Sequence, residues 1–127
     1  MKRVICDYCH RNAQLVTGAT IYPHRPDLFH RWFWHCEPCD AWVGTHRTSA
    51  ERAPMGRLAN AELRKIRQRV HAQFDPMWQS GRMTRSEAYQ WLAGAMRIST
   101  DNCHVGMFNV EQCQTALAIL ADRRKAA

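Results

Sequence analysis

Four of this chain's six cysteines fall in two Cys-x-x-Cys pairs, Cys6-Asp7-Tyr8-Cys9 and Cys36-Glu37-Pro38-Cys39. Each pair makes a tight turn that points two thiolates at one ion, while backbone N–H groups donate to the sulfurs. Two such turns complete a tetrahedron, and four sulfurs with no open position describe a structural rather than a catalytic zinc. The 26 residues between the pairs accommodate a hairpin excursion at little extra closure entropy. A thioredoxin-like redox motif would need βαβ surroundings and leaves the second pair unexplained. The start, Met1-Lys2-Arg3-Val4-Ile5-Cys6, has basic residues but no apolar run, so no export signal is expected. A cytoplasmic, reducing compartment then disfavours disulfides. The expected cofactor is one structural Zn2+ on Cys6, Cys9, Cys36 and Cys39, whose binding supplies about 10 kcal/mol.

Other chemistry finds weaker support. His24, Asp27, His30 and His46 lie close in sequence, and a metal-dependent nuclease could use such a set to hold an ion and activate water. Their spacing matches no mechanical motif, unlike an H-E-x-x-H helix. A loop in which Asp27 holds its neighbours through local hydrogen bonds is the simpler reading of His24 and Arg25. Cys103, His104, Cys113 and His71 suggest a second metal site, yet nine residues separate the two cysteines and a helix start falls between them. Cys113 shares an apolar stripe with Leu117 and Leu120, so burial in a core accounts for it. His104-Val105-Gly106 reads as a turn with Gly106 at positive φ. No Ser/His/Asp order, phosphate-binding glycine loop or dinucleotide fingerprint is present, which points away from an enzyme.

The elements that must position the cysteines are β around the pairs and α beyond them. Gln14–Val16 and Thr20–Tyr22 flank Thr17-Gly18-Ala19 as a predicted hairpin. Pro23-His24-Arg25-Pro26-Asp27 interrupts regular structure. His30–His35 reads as a strand entering the second pair and Ala41–Gly44 as one leaving it. Tyr22, Phe29, Trp32, Phe33, Trp34 and Trp42 crowd this region, about half of them expected in a small core and the rest available to stack on bases. Residues 45–57 look like a polar connector. Asn60 caps a helix bearing Leu63, Ile66, Val70 and Phe74 on one side. Asp75-Pro76 opens a short second helix that closes at Ser80-Gly81. Thr84-Arg85-Ser86-Glu87 is a capping box for a helix with Ala88, Tyr89, Trp91, Leu92 and Ala95. Asn109-Val110-Glu111-Gln112 opens the last, with Cys113, Leu117 and Leu120.

The 127 residues carry 18 Lys and Arg against 11 acids, a net charge of +7, and 15 of the 18 are Arg. Both halves share the excess. Arg donates two parallel bonds to a phosphate, so the surface favours polyanions. Phosphate contacts are expected from Arg25, Arg31, Arg64, Lys65 and Arg67. Neutralising about four phosphates would give a log–log salt slope near −3.6 on duplex. No apolar run approaches the roughly 20 residues of a membrane helix.

Cys6–Cys9, Tyr22-Pro23-His24-Arg25-Pro26-Asp27-Leu28, Phe33-Trp34-x-Cys36–Cys39 and Ala41-Trp42-Val43-Gly44-Thr45-His46 together resemble a family of uncharacterised zinc-finger-containing proteins found mainly in phages and prophages. The resemblance continues through Leu58–Arg64, Phe74-Asp75-Pro76-x-Trp78, Tyr89-x-Trp91-Leu92-Ala93 and Cys103–Phe108. It implies a zinc ribbon followed by a helical segment. Members often have another Cys at the place of Thr45, so its absence here argues against an essential ligand there. The expected fold is α+β: a ribbon over residues 1–46, a connector over 47–58, and three to four helices over 59–127. The expected function is non-catalytic nucleic-acid binding, to DNA or RNA. The alternative is a phage inhibitor that occupies a host protein complex, such as a defence nuclease complex. A nuclease would show magnesium- or manganese-dependent cleavage lost in His24→Ala.

Overall fold

The computed structural model describes residues 3–126, so the outermost residues of the ranges 1–46 and 59–127 lie outside the described residues. The chain divides into two compact units, Met1–Ala61 and Glu62–Ala127. In the first, a small hairpin carries the first cysteine pair at its tip: Ala13 N–H donates to the Val4 carbonyl (2.7 Å) and Cys6 N–H to the Arg11 carbonyl (2.9 Å). The chain continues as β1 (Gln14–Thr17), a single helical turn α1 (Gly18–Ile21), β2 (Trp32–Cys36) and β3 (Ala41–Gly44). These strands form an antiparallel sheet in the order β1-β2-β3. Leu15, Trp34 and Val43 stand in one row across it, with Cys36 opposite Ala41 on the same face; Val16, Phe33 and Gly44 share the other face. The metal-side core consists of Cys6, Ala13, Cys36, Ala41 and Leu58, with Val4, Trp34 and Val43 packed against it.

The predicted hairpin between Gln14–Val16 and Thr20–Tyr22 does not form. Residues 18–21 turn as a helix, and β1 pairs with β2 instead. The cause is remote from the local sequence. Gly18 is buried where a side chain would collide with the Leu28 carbonyl, and its N–H donates to the Arg31 carbonyl at 2.9 Å. That close approach turns the chain away from a strand and leaves β1 facing the aromatic run of β2.

Residues 47–58, read from composition as a connector, fold back along β3. Met55 N–H donates to the Gly44 carbonyl (2.9 Å), and Trp42 and Ala59 exchange both backbone hydrogen bonds (3.1 and 3.0 Å). Leu58 is buried in the metal-side core. The segment is polar because its hydrogen bonds run to the sheet edge and to its own turns, not because it is a free tether.

The second unit contains α2 (Ala61–Phe74) from its second residue on, α3 (Pro76–Gln79), α4 (Arg85–Met96) and α5 (Val110–Ala126). Leu63, Val70 and Phe74 of α2 are buried, and the Phe74 ring meets Tyr89 of α4 edge-on at 4.8 Å between centroids. Both capping boxes are present: Glu87 N–H donates to Thr84 Oγ1 (3.0 Å), and Gln112 N–H to Asn109 Oδ1 (2.8 Å), each with its reciprocal bond. Asp75 is not the side-chain cap of α3. Its carboxylate lies 3.2 Å from His71 Nδ1, one helical turn back, and Asp75 itself keeps helical dihedrals. Ala95 is exposed and Ala93 is buried in its place. Gly106 sits within a 3-10 turn, Val105–Met107, rather than at positive φ. Cys103 and Cys113 are fully buried, as expected of core cysteines, and burial pushes both thiols up.

α4 ends on Arg97 in the left-handed region (φ 59, ψ 42), a position that costs any residue with a Cβ. Arg97→Gly is therefore expected to stabilise the second unit by roughly 1 kcal/mol, visible as a rise of a few degrees in Tm.

Candidate metal centre and basic cleft

Cys6 and Cys9 sit at the tip of the first hairpin, and Cys36 and Cys39 at the tip of the β2–β3 hairpin. The residues that follow each pair, His10 (φ 63) and Asp40 (φ 51), both adopt the left-handed conformation. The two turns thus share one backbone device that swings the chain away and leaves the sulfurs converging. Arg11 N–H points at the Cys9 sulfur and Cys39 N–H at that of Cys36. All four Sγ atoms lie within 4.8 Å of one another, with Cys9 and Cys36 separated by 3.6 Å.

These distances can be tested against the ion. Four sulfurs about 2.3 Å from a tetrahedral zinc stand about 3.8 Å apart, so the cluster needs little adjustment to close on one. The donor set is all thiol, and it is the single group of potential metal ligands among the described residues. Without a cation the sulfurs cannot all ionise together. The Arg11 N–H draws the Cys9 thiol down to about 7, whereas loss of solvent first, and then the neighbouring sulfurs, push Cys39 up to about 12. Loss of solvent also raises Cys36. A divalent ion reverses this penalty, since a coordinating thiol is deprotonated outright. The four cysteines can hold one metal ion, consistent with a single structural Zn2+.

The family model of a zinc-finger-containing domain, DUF3268, matches residues 2–123. The chain belongs to this family. No curated protein and no solved structure matches it significantly. Membership in DUF3268 agrees with the four-cysteine centre and the α+β fold. Among the described residues, no helix is long and apolar enough to cross a membrane.

The first unit also bears a cleft of about 550 Å3. Arg31, Arg47, Arg52, His30 and His46 line it together with Trp32, Phe33 and Met55, and none of its lining residues is acidic. The 46–57 segment builds one wall. Arg52 takes the left-handed conformation (φ 54), its carbonyl accepts from Trp34 Nε1 at 2.8 Å, and its guanidinium lies 4.4 Å from the Trp32 ring centroid. Thr45 donates through Oγ1 to the Trp32 carbonyl (3.1 Å).

The expected contact residues separate into three environments. Arg31 lines the cleft. Arg25 clasps Asp27 through Nε (3.0 Å) and Nη2 (2.8 Å), a local pair that holds the Asp27 carboxyl below its usual range. His24 and Asp27 are exposed outside the cleft that His30 and His46 line, so these four residues do not gather into a metal site. In the second unit Lys65 is exposed on α2 and Arg64 is half-buried. Arg67 donates Nε and Nη2 to the Phe108 carbonyl (3.1 and 2.9 Å), so a phosphate would compete with an internal bond.

Phe33 is buried, Trp32, Trp34 and Trp42 are half-buried, and Tyr22 and Phe29 remain exposed. Arg47, Arg52 and Met55 join the site only through the fold-back of residues 46–57. The local signal for it is slight: alternating polar and small residues with Pro54 and Gly56 resemble any loop.

Proposed function

We propose that this protein is a non-catalytic nucleic-acid-binding module in which zinc holds the ribbon and the cleft receives a polyanion. The observation that carries the reading is the state of the ribbon's arginines. Arg25 and Arg57 are matched by Asp27 and Asp7, at 2.8 and 3.1 Å. Among the described residues, Arg31, Arg47 and Arg52 have no carboxylate partner, and they converge on one concavity. Unmatched guanidinium groups around a common space repel one another, and an entering phosphate relieves that repulsion while accepting forked hydrogen bonds. Such contacts position a backbone and carry little sequence information.

The test is a salt series of oligonucleotide binding to zinc-loaded protein. Affinity should fall steeply between about 50 and about 200 mM salt, and the log–log slope should lose about 0.7–0.9 for each of Arg31→Ala and Arg47→Ala. Binding that ignores salt overturns the reading. Absence of oligonucleotide binding at low salt, with a stoichiometric protein partner that survives nuclease treatment, would replace it with a phage-type inhibitor of a host complex.

A further inference from the structure

Phosphate contact alone does not account for the apolar lining of the cleft. Met55 is 55% exposed, the side chain of Trp32 is half-buried, and the Met55 sulfur approaches Gly44 on the Phe33 face of the sheet. Apolar surface of this kind gains nothing from a phosphate, which stays hydrated at its outer oxygens. The Trp32–Arg52 pair adds a second feature, because a guanidinium lying over an indole presents its own outer face as a flat, weakly hydrated plate. The space of about 550 Å3 falls within the range of pockets that enclose a small ligand.

A duplex cannot use such a lining, since its base faces are stacked on one another and only phosphates and groove edges are offered. An unstacked base can, because every base has a π-face that stacks on aromatic or guanidinium planes whatever its identity. We infer that the cleft takes an unpaired base of single-stranded nucleic acid, its face against the Arg52–Trp32 layer and its rim near Met55, with the flanking phosphates on Arg31 and Arg47. The inference rests on the nucleic-acid reading above and adds to it the strand state and the part of the nucleotide that is bound. His30 and His46 stand at the same lining and contribute donors to either the phosphate or the base edge.

The decisive probe is a single-stranded oligonucleotide compared with an abasic strand of equal length, which keeps every phosphate and removes every base. At one ionic strength, zinc-loaded protein should bind the intact strand about ten-fold tighter than the abasic strand and tighter than the matching duplex. Met55→Ser replaces an exposed side chain, so zinc content and circular dichroism should be unchanged while the ten-fold ratio shrinks. Arg52→Ala should shrink it further. Equal affinity for the intact and abasic strands, with steep salt dependence, overturns the stacked base and leaves the phosphate reading standing. A ratio that Met55→Ser and Arg52→Ala both leave unchanged also overturns it. No binding of any strand at low salt removes the nucleic-acid reading itself.

Discussion

Replacing Cys36 with serine, or stripping zinc with a chelator, is expected to unfold the N-terminal unit. The metal-side core holds five buried residues, two of which are ligands and two of which are alanines. So few methyl groups bury too little apolar surface to offset the ordering of about sixty residues, and zinc contributes on the order of 10 kcal/mol to the balance. Loss of one sulfur forfeits most of that. Tryptophan fluorescence should report it through Trp34, which packs against the cluster, while the helical signal from α2–α5 persists because those helices have buried residues of their own. Acid should mimic the mutation, and the sign follows from the thiols. Cys36 and Cys39 are raised, so both are protonated near neutral pH in the metal-free protein, and zinc must expel those protons to bind. At least two protons leave per ion, so affinity should fall at least about a hundredfold for each unit of pH lost, as read by competition with a chromophoric chelator.

Gly18→Ala is expected to be the most damaging single methyl group in the ribbon outside the metal centre. The added Cβ would overlap the Leu28 carbonyl, which is backbone and cannot rotate away as a side chain would. Relief requires moving either α1 or the Pro26–Leu28 turn, and both are tied down: Gly18 N–H to Arg31, Tyr22 N–H to Gly18, Arg31 N–H to Leu28. Overpacking of this kind costs about 3 kcal/mol. Urea titration should show the midpoint falling for the N-terminal unit, with zinc affinity reduced because folding and binding are one process there. An unchanged midpoint would mean that the turn is looser than its hydrogen bonds indicate.

Legibility in the sequence tracked the range of the interactions. The four-cysteine centre was readable because a Cys-x-x-Cys pair is a local device, and so were the capping boxes at Thr84 and Asn109, each complete within four residues. The apolar stripe of α2 and the burial of Cys113 followed from helical periodicity, and the burial of Cys103 from the general tendency of free cysteines to lie in cores. What local pattern does not show was decided elsewhere in the chain. The conformation of residues 18–21 depends on Leu28 and Arg31; the path of 47–58 depends on Trp42, Gly44 and Trp34; Asp75 turned from capping toward His71 because a helical turn placed a partner within reach. The cleft shows the same limit. Arg31 and Arg47 are far apart in local pattern, and only the fold-back after β3 gives them a shared surface.

Arg52 has one foot in each of the two sites. Its carbonyl fixes the indole of Trp34, which rests on the zinc core, and its side chain covers Trp32 in the cleft. Zinc and the proposed cleft ligand would therefore bias the same short piece of backbone, although no zinc ligand lines the cleft. Linkage then makes the effect reciprocal: whatever factor zinc adds to ligand affinity, the ligand returns to zinc retention. In a cell where zinc is scarce and contested, an occupied protein would keep its metal longer than an idle one.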